Sequence, residues 1–157
     1  MLCTLAIPPC PNVSPKSPTS KPLNRRNVEL IRLFQAWSDL LGDAHAELFK
    51  ERNSDGSSIP IWKTDDYFYH AQGMAHVIHQ LSKAVRREYA IDLINRPSVA
   101  SLLDDVIDAL GRAAVMKPLI VLDGSTEGLT ANHRRNLDAY ITEARQKMYS
   151  IREELEK

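Results

Sequence analysis

One stretch without a proline, from Thr64 to Tyr89, constrains this chain more than any other feature. Within it Tyr67, Ala71, Met74, Ile78, Leu81 and Val85 recur at alternating steps of four and three, the spacing that holds apolar side chains on one side of an α-helix. The spacing predicts a single helix of roughly 25 residues, about 38 Å long at the usual rise. Thr64 is expected to accept from the free amides of the first turn, with Asp65 and Asp66 against the positive end of the helix. Such a seam must be covered by other helices, and the rest of the chain supplies them.

The opposite face is polar. Projected at 100° per residue, Tyr69, Gln72, Gly73, His76, His79, Gln80, Lys83 and Arg87 fall broadly across from the seam. His76 and His79 are three apart, a spacing that can share a metal ion, but two histidines make only half a zinc shell. The favoured reading is a solvated polar face with no metal. Gly73 costs a helix about 1 kcal/mol relative to alanine, so either that cost is tolerated or another segment approaches closely there. His70 flanks the seam beside Val77 and Leu81, as a partly buried histidine with a hydrogen-bond partner.

Three more segments repeat the amphipathic period. From about Asn27 to Arg52, the residues Leu30, Leu33, Phe34, Trp37, Leu40, Leu41, Ala44 and Leu48 share one face. After the break at Asn95-Arg96-Pro97-Ser98, Val99, Leu102, Leu103, Val106, Leu110 and Ala113 point inward until Pro118. The last stripe is Leu137, Tyr140, Ile141, Ala144, Met148, Ile151 and Leu155, with Asn132 or Thr130 as its cap. Asn53 to Ser58 is turn chemistry, Ile59 to Trp62 a short extended piece, and Leu119 to Leu122 a short extended run closed by Asp123-Gly124. Residues 1–23 hold Pro8, Pro9, Pro11, Pro15, Pro18 and Pro22 and read as a disordered tail; residues 24–157 read as one domain. The fold expected is all-α, an up-down four-helix bundle behind a disordered proline-rich N-terminal tail.

Composition narrows the function by exclusion. Lys+Arg and Asp+Glu both count 20, which argues against a nucleic-acid binder with its basic excess. Cys3 and Cys10 complete neither a zinc set nor a disulfide framework. No apolar run approaches the roughly 20 residues of a membrane span, so the chain as given reads as soluble. Glu-x-x-His, His-Glu-x-x-His, a phosphate loop, a dinucleotide glycine pattern and a Gly-x-Ser-x-Gly elbow are all absent from the sequence. No cofactor is expected. Asp104, Asp105 and Asp108 read as a solvated acidic face.

Two polar clusters remain beside irregular structure. One is Asp65, Asp66, Tyr69, His70 and Gln72 at the start of the second helix; the other is Asp123, Gly124, Asn132, His133 and Arg134 around the start of the fourth. In an up-down bundle both starts lie at the same end, where converging helix N-termini suit an anionic group. Helix capping uses the same residue types and is the plainer account of both clusters.

The same segments carry a family resemblance. Asp65-Asp66-Tyr67-Phe68-Tyr69-His70-Ala71-Gln72-Gly73, Leu122-Asp123-Gly124-Ser125, Ala131-Asn132-His133 and Tyr140-Ile141-Thr142-Glu143-Ala144-Arg145 resemble a bacterial family of inner-membrane proteins of unknown function, over roughly Val28 to Leu155. The resemblance implies a helical domain in the cell envelope attached by a membrane helix upstream, where this chain instead has its proline-rich segment. It implies no reaction and no catalytic residues. The first functional reading is therefore a non-enzymatic helical module acting through contacts with a protein partner or with itself, in the envelope by resemblance. The alternative is an enzyme or small anionic-ligand binder, with Asp65 or Asp66 and His133 in acid-base roles.

Overall fold

The computed structural model describes residues 25–50, 52, 55–57, 60–116 and 133–157, apart from the side chains at positions 61, 62 and 64. The N-terminal tail, the run at 119–122, Asp123 and the proposed caps Thr130 and Asn132 lie outside the described residues. Five helices make up the regular structure among the described residues: α1 (Arg25–Leu48), α2 (Ile61–Glu88), α3 (Ala90–Ile94), α4 (Pro97–Ala114) and α5 (His133–Glu156).

The side-chain bridges give each neighbour's direction. His70 of early α2 meets Glu47 of late α1 at 2.8 Å, and Arg86 of late α2 meets Asp104 of early α4 at 2.8 Å. Lys147 reaches Asp105 at 2.8 Å and Arg112 reaches Glu143 at 3.0 Å, so α5 runs opposite to α4. His45 of late α1 contacts Asp138 of early α5, which closes the ring. The expected up-down four-helix bundle is present, with α1 and α4 each packed between α2 and α5, and α2 diagonal to α5.

The core is built as amphipathic helices dictate, from the inner faces of all four long elements. Leu30, Phe34, Trp37, Leu41, Ala44 and Leu48 come from α1, and Val99, Leu103, Val106, Leu110 and Ala113 from α4. Leu137, Ile141, Ala144, Met148, Ile151 and Leu155 of α5 are buried, so the last helix presents the stripe its sequence predicts, with Tyr140 at the rim. Pro97 opens α4 at a position where its missing amide is harmless. The short α3 follows a break at Tyr89, whose amide still bonds to Val85 O at 2.9 Å, and Arg26 ties α3 to α1 through Asp92 at 2.7 Å.

Several boundaries and faces differ from the expectation. α1 ends at Leu48 rather than Arg52. α2 begins at Ile61 behind Pro60, so the piece expected to be extended is partly helical. Proline fixes its own φ and suits a helix entrance, which moves the start upstream of Thr64. Thr64 is therefore inside the helix, not its cap, and Asp65 and Asp66 fall in the second turn. Within residues 55–57, Gly56 adopts φ 82° and Asp55 accepts from the Ser57 amide at 2.9 Å.

The consequential difference is a rotation of α2. Its buried residues are Phe68, Ala71, Ala75, Ile78 and Ser82, a face turned by about 60° from the expected seam at 100° per residue. Tyr67 and Met74 are half-buried and Leu81 is 44% exposed. Small side chains pointing inward let α2 sit close to its neighbours, and that packing outweighs the larger apolar side chains one step round the helix. Leu40 of α1 is likewise displaced outward, 44% exposed, while Ser38 is buried and donates to Phe34 O at 2.8 Å.

Candidate functional site

The rotation leaves apolar side chains on the outside of the seam between α1 and α2. They line a groove of about 420 Å³ with Trp37 and Leu40 on the α1 side and Tyr69, Gly73, Val77 and Leu81 on the α2 side. The α2 residues recur every four positions, a row that runs along the helix with slow drift. Val77 is 56% exposed and Tyr69 47%. Gly73 sits in the middle of this row, and a Cβ placed on it meets nothing within 4 Å. Of the two accounts of Gly73, no segment of the described chain approaches it closely.

Two of the sequence-selected residues border this groove. Tyr69 stands edge-on to the Phe68 ring at 5.4 Å. His70 has the expected hydrogen-bond partner, donating from Nδ1 to Glu47 Oε2, but it is exposed rather than partly buried. Gln72 is turned the other way, toward α4. Its Nε2 donates to Ala113 O at 3.3 Å and to Met116 O, which ties α2 to the end of α4 and the residues just after it. Gln72 is thus held by an internal structural role.

Asp65 is half-buried, Asp66 exposed, and His133 half-buried at the first turn of α5. The starts of α2 and α5 do share one end of the bundle, but on diagonal helices. Asp123 and Asn132 lie outside the described residues. The Nδ1 of His133 is buried without a hydrogen-bond partner among the described residues. Arg134, placed with the same cluster, is buried in the first turn of α5.

His76 and His79 have different surroundings. His76 is exposed, whereas His79 leans over α4 with Nε2 3.4 Å from where a Cβ on Gly111 would stand. Burial, then the positive Lys83 and His76, holds the His79 ring below its ordinary value of 6.5. Around it Asp104, Asp108 and Arg112 border a shallow cavity of about 390 Å³. Their charges are occupied: Asp104 by Arg86, Asp108 by Arg112, and Arg112 also by Glu143. The acidic face is exposed to solvent as expected, and on it Asp104 and Asp105 also bridge to α2 and α5 while Asp108 pairs within α4. No group of three His, Cys, Asp or Glu side chains positioned for a metal exists among the described residues.

What fold and surface define together is a small all-α bundle with an apolar groove between α1 and α2. The chain belongs to the DUF2333 family, an uncharacterized protein family conserved in bacteria, whose match spans residues 24–157. No curated protein and no solved structure matches the chain. No described helix is long and apolar enough to cross a membrane.

The groove was only half legible in the sequence, because Trp37, Leu40 and Leu81 were assigned to the core and Tyr69 and Gly73 to the polar face across from it. The signal that marks it is the four-step row Tyr69, Gly73, Val77 and Leu81, which competes with the alternating four-three row that the hydropathy pattern emphasises.

Proposed function

We propose that this chain is a non-enzymatic helical-bundle module of the bacterial cell envelope that acts through protein contacts, with the α1–α2 groove as its contact surface. The observation that carries this reading is the groove itself. Leu40, Tyr69, Val77 and Leu81 are all exposed and lie side by side, and contiguous exposed apolar surface marks interaction sites on folded domains. Its shape, a furrow between antiparallel helices, suits a helix laid along it with apolar anchors at three- and four-residue steps. The envelope placement rests on the sequence resemblance, and recovery of the native protein only from the cytosolic fraction would remove it.

Site-specific photocrosslinking in the bacterium tests the contact surface. A photoreactive residue at Val77 should give a covalent protein adduct, and one at Gln146, exposed on α5, should not. Equal yields from both positions, or none from Val77, would refute the reading.

A second reading is favoured by one observation, the buried Nδ1 of His133, which has no hydrogen-bond partner among the described residues. Here the bundle end with the starts of α2 and α5 binds a small anion, with Asp65 or Asp66 and His133 in acid-base roles. Thermal stabilisation by inorganic phosphate that His133→Ala removes would support it, and absence of that stabilisation counts against it.

A further inference from the structure

We propose that the occupant of the α1–α2 groove is a second copy of this chain, with the two α2 helices antiparallel about a twofold axis level with residue 75. This rests on the reading of the groove as a contact surface and names the partner. The case is one of self-complementarity, which a twofold interface demands because the same patch serves on both sides.

The apolar row matches itself when reversed. In an antiparallel pairing centred at residue 75, Tyr69 faces the second copy's Leu81, and Gly73 faces its Val77. The open space over Gly73, where a Cβ would meet nothing within 4 Å, receives the exposed Val77 side chain, 56% accessible in the single chain. A glycine that weakens a long helix without serving any internal contact thereby acquires a packing role. Leu40 of each copy, at the rim of the groove, adds the α1 wall.

The charges obey the same symmetry. Asp65 and Asp66 stand near the start of α2, and Lys83 and Arg87 near its end; at about 100° per residue Asp66 and Arg87 share the side of the Tyr69–Leu81 row, while Asp65 and Lys83 lie on the flank toward His79. Among the described residues none of the four enters an ion pair within the chain, whereas Arg86 on the α4 flank is paired with Asp104 at 2.8 Å. Antiparallel pairing brings the acidic start of one α2 within about one helical turn of the basic end of the other. Parallel pairing would instead set acid beside acid and base beside base. This polarity also suits the helix dipole; it is the coincidence with a reversible apolar row that singles out a second copy as partner.

Sedimentation equilibrium of the chain, with two sets of variants, tests this. At about 100 µM, where a micromolar dimer is nearly complete, the expected species is a dimer, and Val77→Glu should leave monomer with an unchanged helical circular-dichroism spectrum. The D65K/D66K chain and the K83D/R87D chain should each self-associate roughly tenfold more weakly, since like charges then face each other. Mixing the two should restore dimer, as the exchanged charges meet across the pair; lost folding would not be rescued by mixing. A wild-type monomer at that concentration overturns the proposal, as does a dimer indifferent to Val77→Glu or a mixture that associates no more tightly than either charge variant alone. The adduct from the Val77 photocrosslink separates this inference from the reading beneath it. Twice the chain's mass supports self-pairing. An adduct of another mass alone overturns self-pairing and leaves the contact surface standing, and no adduct removes both.

Discussion

Ser82 and His79, both on α2, show how single side chains depart from what their residue types suggest. Ser82 is fully buried on the inner face, and its hydroxyl has no hydrogen-bond partner among the described residues. An unsatisfied buried hydroxyl is a net cost, and alanine also favours a helix interior. Ser82→Ala should therefore raise the free energy of unfolding by about 1 kcal/mol in urea titrations; a loss of similar size would mean that the hydroxyl is bonded after all. His79 makes stability depend on pH. Burial first, then Lys83 and His76, depresses its folded-state value below 6.5. The unfolded chain then takes up the proton before the folded one does. The contribution is fully present above about 6.5 and is lost as pH falls toward the depressed value. His79→Gln should flatten this part of the stability–pH profile, and an unchanged slope would place its origin elsewhere.

Among the elements, α5 and α2 mark how far the sequence could be read. In α5 the inward stripe from Leu137 to Leu155 consists of large side chains with polar residues between them, so pattern and packing select the same face. In α2 the face of Phe68, Ala71, Ala75, Ile78 and Ser82 competes with the larger side chains of Tyr67, Met74 and Leu81 about 60° away. Hydropathy weights size, whereas close packing of helices rewards small residues at the contact. Which face wins depends on the neighbouring helices, and no local window contains them. The entrance of α2 was illegible for a related reason: Thr64 is a good cap by residue type, but Pro60 lets the helix begin earlier. The difference between the two faces is measurable. Phe68→Ala, at a fully buried site, should cost about 3–5 kcal/mol. Leu81→Ala, at a site 44% exposed in the single chain, should cost below about 1 kcal/mol under dilute conditions. Reversal of that order would restore the seam expected from hydropathy.

At the scale of the whole molecule, folding and association make opposite demands on Gly73. The folded chain gains nothing from a glycine there, because a Cβ at that position meets nothing within 4 Å. At Gly42 the outcome differs: a Cβ would stand 2.9 Å from the Arg145 guanidinium, whose Nε donates to Ser38 O at 3.1 Å. Gly73→Ala should thus raise the stability of the monomer by about 1 kcal/mol, the propensity difference between the two residues. Gly42→Ala should return little of that difference, since Arg145 has to move. If α2 pairs with itself as proposed, the methyl group of Gly73→Ala enters the space meant for Val77 of the other copy, and the dimer should weaken while the monomer gains. Because association itself stabilises the folded state by mass action, unfolding has to be followed at concentrations where the wild-type chain is monomeric, and association separately by sedimentation. A higher unfolding free energy together with weaker association is the signature of a glycine kept for contact between copies. A gain in both would show that the space over Gly73 is not filled by a second chain.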